Sequence, residues 1–371
     1  MAKITTFDDW VDLFKEWQQD IGYDAKLLGD YRFEAKFGDV KTGEIEFGDY
    51  AGGRKWESLM EMPDQRIRDA LLHLIIYQGD TEFASVEQQR DLIGTAPTDY
   101  DLGSLVRVNR EEMRHGFQMC HLLVNYFGAP GKIEAQKMMA RRAYKKNRLL
   151  GAFNGDVNNW LDFFAYTQFV DRDGKYQLTM LSHSGFGPLA RSMVAMLKEE
   201  YYHILTGHTG LLRIIKAGKI PIEIVQKYLN KWIPMALDLF GTDHSSTAHW
   251  TYVWGLKGRY DEAPEKGPAD KERLNEMARN LYVQEITGLV AALNKEIPAD
   301  RPTLFIPDPK FRRGIGESAG KPYSARGDLL TPEAYERHLR EALPGPEDEA
   351  RLAAIFKEKD WILPVERGAA Q

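Results

Sequence analysis

The sequence predicts an all-α fold organised on a four-helix bundle, and three observations predict it. Two Glu-x-x-His motifs, Glu112-Met113-Arg114-His115 and Glu200-Tyr201-Tyr202-His203, recur in the chain. An acidic residue stands upstream of each at nearly the same interval, Glu82 at 112 − 82 = 30 residues and Asp171 at 200 − 171 = 29. Both acids lie at the ends of long apolar stretches, Leu71-Leu72-His73-Leu74-Ile75-Ile76-Tyr77-Gln78 and Trp160-Leu161-Asp162-Phe163-Phe164 onward. Such intervals suit two antiparallel helices joined by a short loop with both acids at one height, so the chain reads as a pseudo-twofold pair of helical hairpins.

On an α-helix, residues i and i+3 project about 60° apart, so each Glu and its His share a face and can offer an oxygen and an imidazole nitrogen to one ion. Two facing motifs, with one carboxylate from each of the other two helices, make the six-ligand dimetal site of ferritin-like bundles. The expected ligands are Glu82, Glu112, His115, Asp171, Glu200 and His203. Both motifs carry a doubled acid, Glu111-Glu112 and Glu199-Glu200, and at i, i+4 the first acid also shares a face with the His. The Glu-x-x-His geometry selects Glu112 and Glu200, and the 29-residue interval selects Asp171 over its neighbour Asp173. Imidazole with carboxylate suits iron or manganese, and positions left open for dioxygen make two iron ions the expected cofactor.

The elements follow in order. Residues 1–61 form an N-terminal extension, with a helix from Phe7 to Ile21 and a hairpin pairing Phe33–Phe37 with Glu44–Phe47. The bundle occupies 62–240. Pro63 opens its first helix, Asp64 to about Ile93, where a missing backbone donor costs nothing, and Gly94 and Pro97 stop it. Thr98 or Asp99 caps the second helix, which ends near Phe127 before Gly128, Pro130 and Gly131. A cationic helical insert runs from Lys132 to Arg148, the third bundle helix from Val157 to Leu181 with a bend at Gly174, and the fourth from Pro188 to Ala217, stopped by Gly218. Another helix spans Ile222–Phe240. Residues 241–371 pack on the bundle as a helical and extended segment, with a helix at Asn275–Leu293, a Pro- and Gly-rich extended run from Pro298 to Tyr323, and helical turns at Pro332–Glu341 and Glu347–Lys357.

With 371 residues, 43% hydrophobic and 28% charged, the chain can bury a large core, and its length exceeds that of a bare bundle. The net charge of −6 argues against a general nucleic-acid binder. The lone Cys120 excludes an intramolecular disulfide and reads as a small buried side chain in a reducing compartment. The start lacks the blocks of a signal peptide and no run reaches the length of a membrane span, so a cytoplasmic protein is expected.

Other residues bear on chemistry. Gln78, one turn before Glu82, can bond a substrate carbonyl or a neighbouring helix, and both readings stand. Gly79 and Gly116 cost about 1 kcal/mol each within a helix and read first as close-packing positions, second as space for a substrate. Tyr201 and Tyr202 read as packed core aromatics before any radical role. Arg141, Arg142 and Lys145, with Lys146 and Arg148, are the candidate contacts for the phosphates of a nucleotide-tailed substrate against a default of a solvated helix face, and Lys310, Arg312 and Arg313 form a similar patch.

These residues also carry a resemblance. Leu150-Gly151-Ala152-Phe153-Asn154, Trp160-Leu161, Phe163-Phe164, Asp171-Arg172-Asp173-Gly174-Lys175, Ser184-Gly185-Phe186 with Pro188-Leu189, and Glu199-Glu200 with His203 resemble the oxygenase component of benzoyl-CoA 2,3-epoxidases. The catalytic subunit of phenylacetyl-CoA epoxidases is a more distant relative with the same ligand plan. The resemblance runs from about Glu82 to Gly218. It implies a di-iron monooxygenase that epoxidises the ring of an aromatic acyl-CoA thioester with dioxygen, its matching positions being Glu82, Glu112, His115, Asp171, Glu200 and His203; Glu82, Glu112 and Glu200, with Gln78 one turn before Glu82, are the candidate catalytic residues. It further implies a separate NAD(P)H-dependent flavin or iron–sulfur reductase, because the chain has no Gly-rich dinucleotide fingerprint or cysteine cluster and expects no flavin or nicotinamide of its own. A homo-oligomer or a companion ferritin-like subunit fits the same plan. The chain departs from the benzoyl-CoA pattern at Gly187, Tyr201, Tyr202 and His208, and it is shorter. These departures spare the metal ligands and bear on the acyl group.

Two other readings compete. Glu111-Glu112-Met113-Arg114-His115-Gly116 is similar to a motif of acyl-carrier-protein desaturases, although Tyr202 replaces the Arg expected in the second copy. A non-catalytic ferritin-like iron-storage or structural protein is the other, to which a full ligand set on 371 residues is poorly suited.

Overall fold

Apolar periodicity becomes helix along most of the chain in the computed structural model, which describes residues 4, 6, 9–242, 244–263 and 270–365. The α-helices in chain order are α1 (Asp9–Asp20), α2 (Gln65–Gln89), α3 (Asp99–Tyr126), α4 (Gly128–Ala140), α5 (Trp160–Ser182) and α6 (Gly187–Ala217). They continue with α7 (Ile222–Leu239), α8 (Ser246–Val253), α9 (Glu276–Asn294), α10 (Pro332–Ala342) and α11 (Pro346–Ile355). The protein is all-α and ferritin-like: α2 packs on α3, α5 packs on α6, and α3 meets α6 between the two hairpins.

Local chemistry sets the boundaries of the bundle helices. Asp64, Thr98 and Asn159 stand just before α2, α3 and α5, and each side chain accepts a bond from a backbone N–H that has no partner within its helix. Gly218, at φ +67°, closes α6 by donating to the carbonyls of Ile214 and Ile215. Glycines also let α6 approach α5. A Cβ at Gly210 would run into the Phe164 ring, and one at Gly207 into the backbone nitrogen of Gln168. Gly79 and Gly116 are packing positions too, filled by Met138 and Met119 and by the Phe83 ring.

Two apolar cores flank the bundle. One joins α1 to the first hairpin and α4 through Trp10, Phe14, Trp17, Phe83 and Phe117. The other lies among α5, α7 and α9 and includes Trp160, Phe164, Tyr228, Trp232 and Tyr282. Each such fully buried side chain contributes on the order of 1.5–3 kcal/mol. α9 is also tied to α5 by Glu285, which takes bonds from Arg172, Lys175 and Tyr176 at 2.6–3.1 Å.

Several expectations need correction. The hairpin at residues 33–47 does not form: the segment is extended and Glu44 makes only an isolated bridge to Arg54. Its aromatic side chain Phe33 instead meets Phe14 edge to face at 4.9 Å, so tertiary burial replaces ladder pairing. The first bundle helix becomes a 3₁₀ turn at Arg90–Thr95. The insert helix begins at Gly128 and ends at Ala140, so the cations that follow lie off it. α5 continues as helix through Gly174, and the short α8 had no sequence signal that singled it out. The expected start of α1 at Phe7 lies outside the described residues. None of the described helices is long and apolar enough to cross a membrane.

Candidate metal centre

Where the two hairpins meet, α2 places Glu82, α3 places Glu112 and His115, α5 places Asp171, and α6 places Glu200 and His203, all buried. One potential ligand atom from each of Glu82, Glu112, His115 and Glu200 lies within 4.8 Å of the others, and Glu112, Asp171 and His203 form a second such group. Glu112 belongs to both, so the six sequence-predicted residues make one continuous cluster.

The imidazoles are oriented alike. His115 Nδ1 stands 3.3 Å from Glu82, 3.5 Å from Glu200 and 3.9 Å from Glu112. His203 Nδ1 stands 3.4 Å from Glu112 and 3.5 Å from Glu200. Among the described residues, neither Nδ1 has a hydrogen-bond partner, and Asp171 Oδ2 is also buried without one. Buried donor and acceptor atoms are rarely left in this state, and three of them converging on clustered carboxylates fit a bound cation. The all-oxygen and nitrogen donor set fits a metal of the iron or manganese kind better than a thiolate-loving one.

The opposite nitrogens reveal the role of the doubled acids. His115 Nε2 lies 2.8 Å from Glu199 on α6, and His203 Nε2 lies 3.1 Å from Glu111 on α3. Glu199 is held in turn by Arg114, whose Nε donates at 2.7 Å, and Glu111 by Arg107 at 2.9 Å. Two reciprocal Arg–Glu–His relays therefore cross between α3 and α6 and fix each Nδ1 toward the cluster. Sequence reasoning missed this role; the doubled acid in both motifs was its signal, but the pairing crosses helices.

Burial and mutual charge perturb the groups of the cluster. Burial, reinforced by the negative charge of Glu82, pushes the Glu112 carboxyl well above its ordinary range, and burial does the same to Asp171. Although burial opposes it, carboxylate neighbours led by Glu200 raise His203. Burial also opposes the lowering of Glu199, yet His115 and Arg114 hold it at about 2.

A cavity of about 280 Å³ opens from the cluster between α2 and α5. Glu82, Glu112, Asp171 and Glu200 line one end, and Leu74, Phe153, Val170, Leu178, Leu181 and Leu239 supply apolar wall. A Cβ at Gly174 would meet nothing nearer than Glu200 Oε2 at 3.6 Å, so this glycine leaves space beside the cluster. Gln78 lines the cavity and donates to Glu82 at 2.5 Å. Gln177 and Lys257, neither singled out from sequence, stand on the same wall.

The structure separates the candidate phosphate contacts. Arg142 is buried and bonds Asp20 at 2.9 Å and two backbone carbonyls, while Arg141 reaches Asp80 at 3.2 Å. Arg148 is buried against Asp80 and Glu87. Lys145 is exposed. The cluster is thus largely an internal ionic network rather than a solvated helix face. Arg313 likewise pairs with Asp238 at 2.6 Å, and Arg312 donates to carbonyls of α7. Tyr201, expected in the core, is 72% exposed, whereas the Tyr202 ring lies under Arg107 at 3.6 Å and its hydroxyl donates to Ser104. Cys120 is fully buried.

Comparison with known proteins agrees with this geometry. Benzoyl-CoA oxygenase component B of Aromatoleum evansii is 33% identical over 97% of this chain and 92% of its own length. One subunit of the 1,2-phenylacetyl-CoA epoxidase of Escherichia coli strain K12 is 24% identical over 53% of this chain and 62% of its own. Residues 56–303 match the family described as phenylacetic acid catabolic protein, and they contain every residue of the cluster. With two thirds of its length inside that match, the chain belongs to the phenylacetic acid catabolic protein family.

Proposed function

We propose that this protein is an oxygen-dependent di-iron epoxidase of aromatic acyl-CoA thioesters, with benzoyl-CoA the first substrate to test and phenylacetyl-CoA the second. One observation carries the reading: the buried six-residue cluster opens into an apolar cavity of about 280 Å³ between α2 and α5. About 150 Å³ of apolar space suffices for a benzene ring, so the cavity suits a ring more than an extended fatty chain. That supports the epoxidase over the desaturase reading, and a substrate-sized space at the cluster supports catalysis over iron storage.

Glu82, Glu112 and His115 would hold one iron and Asp171, Glu200 and His203 the other, with carboxylates between them. When bound, the two irons supply reductive activation of dioxygen, in which one oxygen atom is added across a ring double bond and the other leaves as water, using two electrons and two protons. The chain's own residues provide the setting. The Arg–Glu–His relays hold each imidazole with its Nε2 proton outward. The Leu and Val walls keep water from the ring, and Gln78 orients Glu82. The electrons would come from a separate NAD(P)H-dependent flavin or iron–sulfur reductase, and exposed Lys145, with Arg141 at the edge of its network, would meet the CoA phosphates.

The test is anaerobic single turnover. Iron-loaded, chemically reduced protein is mixed with oxygenated buffer and a panel of acyl-CoA thioesters, and products are weighed by mass spectrometry. Gain of one oxygen atom on an aromatic acyl-CoA is expected. Loss of two hydrogens from a fatty acyl group, or iron oxidation with every thioester unchanged, would overturn the proposal.

A further inference from the structure

The cavity contains a cation that the metal-centred reading leaves without a task. Lys257 belongs to the segment after α8 and is fixed on both sides: its own N–H donates to Thr251 O, and the next residue, Gly258, donates to Met180 O on α5, both at 3.1 Å. Its ammonium makes one side-chain hydrogen bond among the described residues, to Gln177 Oε1 at 2.7 Å. Gln177 is itself fixed, because its amide nitrogen donates to Asp173 at 3.1 Å and to Leu239 O at 3.2 Å. An ammonium has three donors, so among the described residues two remain without a protein acceptor, beside a largely apolar wall. Burial lowers the Lys257 pKa to about 8, and nearby Asp173 only partly offsets it, so the group is charged at neutral pH yet poorly satisfied. Such a group favours a ligand that brings an oxygen acceptor.

Its position along α5 indicates which oxygen. Gln177 lies six residues beyond Asp171, about 9 Å along the helix at 1.5 Å per residue. Gly174 lies midway and leaves the floor open there. A six-membered ring laid over Gly174 with its 2,3-edge at the cluster turns the adjacent carbonyl-bearing carbon toward the wall that holds Lys257.

We propose that Lys257, oriented by Gln177, binds the thioester carbonyl oxygen of the substrate and so fixes which ring edge faces the cluster. This rests on the acyl-CoA reading above and adds its selectivity: the site prefers a ring attached directly to a carbonyl over the same ring attached through a methylene. Lys257 is a positioning residue in this role, since the reacting bond lies elsewhere.

The experiment measures binding without turnover. Iron-loaded protein, kept anaerobic and free of reductant, is titrated by calorimetry with benzoyl-CoA and with S-benzyl-CoA, the thioether in which CH₂ replaces C=O. Wild type should bind benzoyl-CoA ten- to a hundredfold more tightly, the range for a hydrogen bond from a charged donor. Lys257→Met should remove that preference by weakening benzoyl-CoA while S-benzyl-CoA and iron content stay unchanged. If the Met variant does not fold, Lys257→Gln, which keeps donors but loses charge and reach, should show the same selective loss. Equal weakening of both ligands, or of neither, overturns the carbonyl contact. Wild type that binds the two equally but still oxygenates benzoyl-CoA overturns this contact alone. Wild type that binds neither overturns the acyl-CoA reading and this inference together.

Discussion

The two sides of the candidate centre are built for opposite purposes. On the α3–α6 side, each motif spends two acids, one on the cluster and one on the other helix's His, and Arg107 and Arg114 close the surface behind them. On the α2–α5 side, each helix contributes one carboxylate, and the neighbouring positions are small or apolar, among them Ser85, Val170 and Gly174. The first side is crowded with charge-assisted bonds and the second has room. A pseudo-twofold arrangement thus becomes one-sided: rigidity comes from the helices with the His motifs, and access comes from the helices with single acids.

If this division is right, substitutions on the two sides should separate iron binding from substrate binding. The largest effect should come from the cluster itself. On the di-iron proposal, His203→Ala or His115→Ala should reduce the iron bound per chain to one or none and abolish oxygenation, read by metal analysis and product mass, because each removes an imidazole nitrogen from the cluster. Next, Glu199→Gln or Glu111→Gln should lower iron affinity about 10–100-fold while leaving acyl-CoA affinity unchanged, the usual effect of losing a carboxylate behind a ligating His. Competition with a calibrated chelator measures it. Equal results for the two relays would support the symmetry, and a loss confined to one would break it.

On the open side, Gly174→Leu should weaken aromatic acyl-CoA binding by about tenfold or more with full iron content, since a branched side chain would fill the cavity. Gly174→Ala should stay near wild type, its Cβ making only an ordinary contact with Glu200. The smallest effect concerns the outer support of this wall. Despite the opposing effect of burial, Tyr176, Lys175 and Arg172 hold Glu285 below its ordinary value of 4.5. Its contribution is therefore complete above that value and lost as pH falls through the lower folded one. Glu285→Gln should destabilise the docking of α9 by about 1 kcal/mol, a modest figure because the group is partly exposed. Hydrogen exchange in α9 should quicken in the variant, and in wild type once pH falls below the ordinary carboxylate range.

The six-residue cluster was legible because it rests on local rules. Helical period places Glu112 with His115 and Glu200 with His203, and the 30- and 29-residue intervals place Glu82 and Asp171 opposite them. The relays were only half legible: Glu111 and Glu199 stood out as doubled acids, but their partners belong to the facing helix. Lys257 was not legible, since a lysine in a Gly-flanked loop carries no signal until that loop is laid against α5. The expected hairpin failed for a related reason. Its alternating pattern was real, but Phe33 found aromatic partners on α1 and α3 that no local rule could anticipate.

The placement of Lys257 also has a consequence for how the protein is made. A ribosome releases the last member of the cluster, His203, 257 − 203 = 54 residues before Lys257. At about 5–20 residues per second this is a lag of roughly 3 to 11 s. During that interval the nascent chain carries its full set of candidate ligands behind an unfinished wall. Small hydrated ions would reach the carboxylates from the side that the loop carrying Lys257 later covers. Under the proposed di-iron reading, synthesis from the N-terminus would give iron a path that narrows once the Lys257 loop is in place, so loading the finished chain should be slower than loading it as it emerges.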